Sequence, residues 1–236
     1  MADVVLVPGL WLQGSTWDAV VPHLERAGHR ARPLTLPGTD PDGGRAGIGT
    51  TEQVAAVVAA VDETPEGVPV VLVGHSMGSA VVHGAVDARP ERVARAVYVG
   101  GFPASSGRPP ASGFGTDGDD LPFPGWDAMD DADVRDLDEP TRATVQAAMV
   151  PSPAGLTTDP LVLGDERRFA VPVTMVCPEF TPDQVREWVA DGDLPELAAV
   201  HDVDYVDLDS GHWPQVTRPA ELAEAIAAAA ARADAG

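Results

Sequence analysis

The stretch VVLVGHSMGSA, residues 70–80, decides the fold. A run of apolar, mostly β-branched residues ends at Gly74, a serine stands at position 76, and a helical pattern resumes after Gly78. This is the G-x-S-x-G pattern, in which glycines let neighbouring backbone pass closely and a sharp strand-to-helix turn exposes the serine hydroxyl. The stretch predicts that Ser76 is a nucleophile. The alternative is that Ser76 only caps the following helix.

The same change from an apolar run to a helical pattern recurs along the chain. Strands are predicted at 4–7, 30–38, 68–74, 93–101, 169–177 and 203–209, and helices at 15–29, 50–64, 76–90, 181–192 and 219–233. Such alternation is typical of a parallel sheet with crossover helices. The sequence therefore predicts an α/β fold: one domain over 1–236, with a mostly parallel six-stranded sheet and helices on both faces.

The alternation fails between residues 102 and 168. Residues 102–125 are dense in proline, glycine, serine and aspartate, and 126–150 have a very acidic helical pattern. Long insertions at the carboxyl ends of parallel strands usually shape a binding site. The segment 102–168, called the insert below, is therefore predicted to be a lid; the alternative is a partly disordered, solvated loop. Its carboxylates lack the spacing of an EF-hand loop, which disfavours a calcium site.

Composition narrows the classes of function. The formal net charge of −22 argues against nucleic-acid partners, because phosphate binding needs a basic surface. All fifteen basic residues are arginine, so no lysine can act as a base or nucleophile. The single Cys177, the lack of a signal-peptide pattern and the lack of a long apolar run indicate a cytoplasmic protein without a membrane segment. The expected partner is a small-molecule substrate; monomer and homodimer both stay open.

A serine nucleophile requires an adjacent base, and His212 is the best-placed histidine. It follows the last predicted strand directly, in DLDSGHWPQ, where Gly211 permits a tight turn. In a parallel sheet that loop lies at the same edge as Ser76. His212 is predicted to be the general base, and the alternative is a histidine that only packs its loop. Packing or surface roles are predicted for the other histidines, His23, His29, His75, His83 and His201.

The carboxylate partner of such a histidine is expected after the strand that ends at Cys177, in CPEFTPDQ. Glu179 comes directly after the strand. Asp183 lies in the first turn of a predicted helix, where an acidic residue suits capping and the helix dipole. Since that role already explains Asp183, Glu179 is the predicted acid and Asp183 the alternative.

Acyl transfer also needs N–H donors for a developing oxyanion. Met77, directly after Ser76, is predicted to supply one backbone N–H. The loop after the first strand should supply the other, from Leu10 or, as an alternative, Trp11.

Aromatic residues gather in the loops and the insert at this edge. Those predicted to line a substrate pocket are Trp11, Phe102, Phe123, Trp126, Phe180 and Trp213, and Phe114 belongs to the same group. They favour an apolar acyl or ring-containing substrate. The alternative is that many of them only pack the insert onto the sheet.

The elbow GHSMG, the loop VPGLWLQGSTWD, the LTLPG segment and the terminal SGHWP, in this order, resemble the α/β-hydrolase superfamily. The chain is most similar to a compact branch that lacks the first two strands and includes plant methyl-ester esterases, hydroxynitrile lyases and bacterial hydrolases. It departs from that branch in having Pro8-Gly9 instead of His-Gly and in lacking the usual aspartate in CPEFTP. The lyases rely on a lysine where this chain has Trp213.

The resemblance and the motifs together predict a serine hydrolase that cleaves a carboxylic ester, lactone or thioester, with no cofactor and no metal. A cofactor-free lyase or cyclase on the same site is the alternative. A non-catalytic ligand-binding protein is the third hypothesis, and its mark would be a damaged set of Ser, His and acid residues.

Overall fold

The computed structural model describes residues 1–233. The strands are Asp3–Val7 (β1), Arg30–Pro33 (β2), Val70–His75 (β3), Val93–Val99 (β4), Asp120–Leu121 (β5), Ser152–Pro153 (β6), Val173–Cys177 (β7) and Val203–Asp207 (β8). The helices are Val21–Arg26 (α1), Thr50–Asp62 (α2), Gly78–Ala88 (α3), Asp131–Val134 (α4), Glu139–Ala148 (α5), Pro182–Asp191 (α6), Pro195–Ala199 (α7), Pro214–Thr217 (α8) and Pro219–Ala233 (α9). Within residues 1–233, none of these helices is both long and apolar enough to cross a bilayer.

Six strands form one parallel sheet in the order β2-β1-β3-β4-β7-β8. The predicted fold class is confirmed. The chain passes from β1 to β2 on one side of it and then returns to β3 on its other side. The strand order therefore reverses between β1 and β3. Ligands of open α/β sheets bind at such a switch point, beyond the carboxyl ends of the strands.

The sheet is covered on both faces, as its strands require. Val5 and Val7 of β1 pack into one apolar cluster with residues of α2, α3, α6 and α7. Val4 and Leu6 point the other way and pack with residues of α1 and α9. This alternation explains why β1 and β3 read as continuous apolar runs: every second side chain enters a different core.

Several predicted elements are shorter or divided in the structure. The helix expected over 15–29 is a 3-10 turn at Gly14–Trp17 followed by α1, whose first turn contains a proline. The strand expected over 30–38 ends at Pro33, where the chain leaves the edge of the sheet. Proline restricts the backbone before it and offers no N–H to a ladder, which accounts for both changes.

The insert is folded onto the carboxyl edge of the sheet. Its short antiparallel pair β5–β6 buries Leu121, and Leu156 lies beside it, both against Leu10 and Trp11. Farther along, Val134 and Leu137 pack against Trp213 and Leu12. The helical pattern over 126–150 resolves into a 3-10 turn, α4 and α5. These buried contacts do not fit a solvated loop.

β1 and α3 approach each other so closely that only glycine fits at the start of α3. A Cβ added at Gly78 would lie 2.4 Å from the carbonyl oxygen of Pro8 and 2.9 Å from that of Val7. Both obstacles are backbone atoms, one in the last residue of β1 and one directly after it, and they cannot move without disturbing the sheet. The position of the loop that carries Ser76 therefore depends on this contact.

Replacing Gly78 by alanine should lower the free energy of unfolding by about 2–3 kcal/mol, because the added methyl group overpacks a rigid backbone contact. Chemical denaturation measures the change. Gly44→Ala is the matched control, since a Cβ there meets nothing within 4 Å, and its effect should stay within about 0.5 kcal/mol. Equal stability of the two variants would contradict the inferred contact.

Candidate active site

Ser76 occupies a strained turn between β3 and α3. Its φ of 53° lies in the left-handed region, which non-glycine residues seldom adopt. The turn is held by the Ser76 N–H, which donates to the Val99 carbonyl (2.9 Å), and by the Ser79 N–H, which donates to the Ser76 carbonyl (2.9 Å). A Cβ at Gly74 would lie 2.6 Å from the carbonyl oxygen of Gly78. The flanking glycines thus make the turn possible.

The structure brings Ser76, His212 and Glu179 into one hydrogen-bonded chain. The Ser76 hydroxyl donates to His212 Nε2 at 2.9 Å, and His212 Nδ1–H donates to Glu179 Oε1 at 2.7 Å. The side chains of His212 and Glu179 are only 18% and 11% exposed. An imidazole held in this tautomer can accept a proton from the serine hydroxyl while the carboxylate stabilises the resulting positive charge.

Asp183, the alternative acid, lies elsewhere. Its side chain is 88% exposed and pairs with Arg186 at 2.6 Å, one turn along α6. Thr181 and Gln184 form a capping box at this helix start. Asp183 therefore belongs to the helix terminus, and the structure gives His212 the carboxylate of Glu179.

His75 lies beneath the loop of His212 and supports its main chain. Its Nε2–H donates to the His212 carbonyl at 2.7 Å, and Gln215 Nε2 donates to its Nδ1 at 3.3 Å. Burial, with a smaller contribution from the charge of His212, lowers the pKa of His75 to about 3. A neutral His75 thus holds the loop without competing for a proton.

The two residues predicted to supply backbone donors both lie at the cavity beside Ser76. Leu10 and Met77 line it, and within residues 1–233 neither backbone N–H has an acceptor. The N–H of Trp11, by contrast, donates to Ser152 Oγ at 2.7 Å in a buried position. Of the two residues considered in this loop, Leu10 is therefore the one with an available donor.

A cavity of about 490 Å³ opens above Ser76 and His212. Its apolar lining comes from Leu10, Trp11, Met77, Ala80, Phe102, Pro103, Ala104, Pro110, Phe114, Ala128, Met129 and Trp213. Among the aromatic residues predicted for the pocket, Trp11, Phe102 and Trp213 line this cavity. Phe114 lines it as well.

Phe123, Trp126 and Phe180 do not line the cavity, which corrects the sequence-based prediction. Trp126 packs against Trp213 (ring centroids 5.3 Å) and Phe123 packs against Trp11 (5.1 Å), so both stand behind lining residues. Phe180 stacks on Phe102 at 5.1 Å, also outside the lining. Loop aromatic residues at one sheet edge form two layers here, and their sequence does not distinguish the inner layer from the outer.

Two acidic residues of the insert, Asp130 and Asp133, also line the cavity. In the sequence they belong to the very acidic helical pattern of residues 126–150. Atoms of Asp133, Glu179 and His212 that could ligate a metal lie within 4.8 Å of one another. The hydrogen bond between Glu179 and His212 already explains most of this proximity, so the cluster needs no ion.

Comparison with known proteins agrees with this architecture. A model of the alpha/beta hydrolase family matches residues 4–225. A pyrethroid hydrolase from Sphingobium wenxiniae is 34% identical over 100 residues, which are 42% of this chain and 35% of that protein. The aligned part thus spans about a third of that relative's length.

Solved structures share the fold over nearly the whole chain. An extracellular alpha/beta-hydrolase from a Paenibacillus species, with structural and functional homology to tobacco salicylic acid binding protein 2, superposes with a TM-score of 0.76 at 18% identity, covering 97% of this chain and 99% of that one. A methylesterase from Arabidopsis has a TM-score of 0.72 at 17% identity, with 98% and 100% covered. At these identities the likeness concerns the fold alone.

The buried position of His75 predicts how its protonation responds to pH. The folded-state pKa of about 3 is below the ordinary value of 6.5. As pH falls from 6.5 toward 3, the unfolded chain therefore binds a proton that the folded chain does not, and stability is lost in that window. NMR titration should show no protonation of His75 between pH 8 and 5.

The reference for this titration is the same protein in urea, where the histidines are exposed to water. The free energy of unfolding should include a His75 contribution that falls by about 1.4 kcal/mol per pH unit within this window. A His75 resonance that titrates above pH 5 in the folded protein would show that the ring is not buried as described.

Proposed function

The chain belongs to the alpha/beta hydrolase family, and we propose that it hydrolyses a carboxylic ester, lactone or thioester of an apolar small molecule through an acyl-enzyme on Ser76. The observation that carries the proposal is the hydrogen-bonded chain from Ser76 Oγ through His212 to Glu179, at 2.9 and 2.7 Å. The names of similar proteins, a pyrethroid hydrolase and a methylesterase, support ester hydrolysis in general.

In the proposed first half-reaction, Ser76 Oγ attacks the carbonyl carbon while His212 Nε2 takes the hydroxyl proton. The carbonyl oxygen becomes an oxyanion, which the N–H groups of Leu10 and Met77 stabilise. Collapse of this intermediate breaks the bond to the leaving alcohol or thiol, which receives the proton from His212. Glu179 holds the imidazole and stabilises its positive charge throughout.

In the second half-reaction, water attacks the acyl-enzyme and gives its proton to His212. The tetrahedral intermediate then expels Ser76 Oγ, which recovers that proton, and the carboxylic acid leaves. The cavity supports an apolar substrate, since most of its lining is aliphatic or aromatic and its volume of about 490 Å³ suits a small molecule.

Ser76→Ala should abolish turnover of p-nitrophenyl esters and labelling by a fluorophosphonate probe, because both need the hydroxyl nucleophile. Steady-state kinetics and gel-based detection of the probe measure these effects. Ser112→Ala is the control, since Ser112 is exposed on the insert and should leave both unchanged. Persistence of turnover and labelling in Ser76→Ala would overturn the proposal.

Glu179→Gln should lower kcat/KM by about 100-fold or more, because an amide does not stabilise the imidazolium as a carboxylate does. Asp183→Asn removes an equal charge four residues away and should change kcat/KM by less than about 2-fold, since an exposed ion pair contributes little. Ester kinetics on the two variants, with circular dichroism to verify folding, make the comparison. A larger loss at Asp183 would reassign the acid.

A further inference from the structure

One short part of the insert, residues 133–136, binds the loop that carries His212 through hydrogen bonds and a close backbone contact. The His212 N–H donates to the Asp133 carbonyl at 2.8 Å, and Ser210 Oγ donates to Asp136 Oδ2 at 2.9 Å. The contact at Gly211 is so close that an added Cβ would lie 2.3 Å from the Asp133 carbonyl oxygen. The backbone of the insert thus fixes the histidine loop in place.

Arg135 also binds the loop that carries Glu179. Its guanidinium donates to the Ser210 carbonyl at 2.6 Å and to the Pro178 carbonyl at 3.3 Å. Pro178 directly precedes Glu179. The same part of the insert therefore contacts the loops of both His212 and Glu179.

The Asp133 carboxylate lies near both members of the proposed base–acid pair. One of its oxygens is within 4.8 Å of a His212 ring nitrogen and of a Glu179 oxygen. Asp133 also lines the cavity. Burial raises the pKa of Asp133, the charge of His212 opposes that rise, and the charge of Glu179 adds to it. The Asp133 carboxyl is thus close enough to both groups to respond to their charges.

We propose that Asp133 is a positioning residue whose carboxylate, alongside Glu179, stabilises the imidazolium that His212 becomes during turnover. This inference rests on the proposed function. At the separation found here, an anion in a site partly shielded from water still attracts a cation appreciably. When the charge of Glu179 is removed, Asp133 is the carboxylate that remains beside the ring.

The other charged or titratable groups near Asp133 each have an interaction or position of their own. They are His75, neutral with a pKa of about 3; Asp130, which lines the cavity; Arg135, paired with Asp209; Asp136, bonded to Ser210; and Arg218, which acts on Asp136. A substitution at Asp133 therefore removes one charge and leaves the interactions named for these other groups in place. Asparagine keeps the shape and the backbone carbonyl that holds His212.

The first experiment compares Asp133→Asn with Asp131→Asn in the pH profile of kcat/KM for a p-nitrophenyl ester. Loss of the Asp133 charge makes the imidazolium less favourable, so the acidic limb should move to lower pH by about half a unit or more. Asp131 is exposed on the same helix, α4, and its variant should show no such movement. Identical profiles for both variants and the native protein would overturn the proposal.

The second experiment uses the Glu179→Gln background. There Asp133→Asn should cost about 10-fold or more in kcat/KM, against about 3-fold in the native background, because the remaining carboxylate carries more of the stabilisation. A merely structural Asp133 would cost the same factor in both backgrounds. That result would contradict the inference.

An NMR titration of the His212 ring, without substrate, tests the electrostatic part independently of turnover. Its midpoint should be lower in Asp133→Asn than in the native protein and Asp131→Asn. If no ester is hydrolysed but the midpoint moves, the proposed function fails and the coupling stands. If esters are hydrolysed and the midpoint is unchanged, the coupling of Asp133 to His212 is wrong.

Discussion

The left-handed backbone at Ser76 is the constraint on which the rest of the structure depends. A non-glycine residue with φ of 53° costs roughly 1–3 kcal/mol and persists only where its surroundings enforce it. Here they do: β1 presses on the start of α3 at Gly78, and the carbonyl of Val99 holds the Ser76 N–H. The large parallel core supplies the stability that maintains this turn and aims its hydroxyl at the ligand edge.

Parallel strands then collect distant residues at that edge. Ser76 follows β3, Glu179 follows β7 and His212 follows β8. In the sheet, β4 lies between β3 and β7. The chain directly after β4 must leave room for the side chains of Glu179 and His212. Gly100 provides that room because it has no side chain: an added Cβ would lie 3.2 Å from Glu179 Oε2 and 3.3 Å from His212 Nδ1. A glycine with φ of 56° at that point is thus part of the geometry of the site.

The insert has two physical tasks in this arrangement. Its apolar residues pack against Leu10, Trp11 and Trp213, which line the cavity. Its polar residues at 133–136 bind the loops of His212 and Glu179 through main-chain groups. A segment with a very acidic pattern in the sequence therefore also lines the cavity, because only part of α4 meets water: Asp131 is exposed and Val134 is buried.

The sequence by itself determined the six-stranded α/β sheet and the elbow at Ser76, because both depend on local apolar periodicity and on glycines at fixed offsets. It also favoured Glu179 over Asp183, since helix capping already explained the latter. Only the tertiary structure decided which aromatic residues line the cavity, that Phe123, Trp126 and Phe180 stand behind it, and that Asp133 faces His212. Those facts depend on how an irregular insert packs on residues distant in the chain, and no local pattern encodes such contacts.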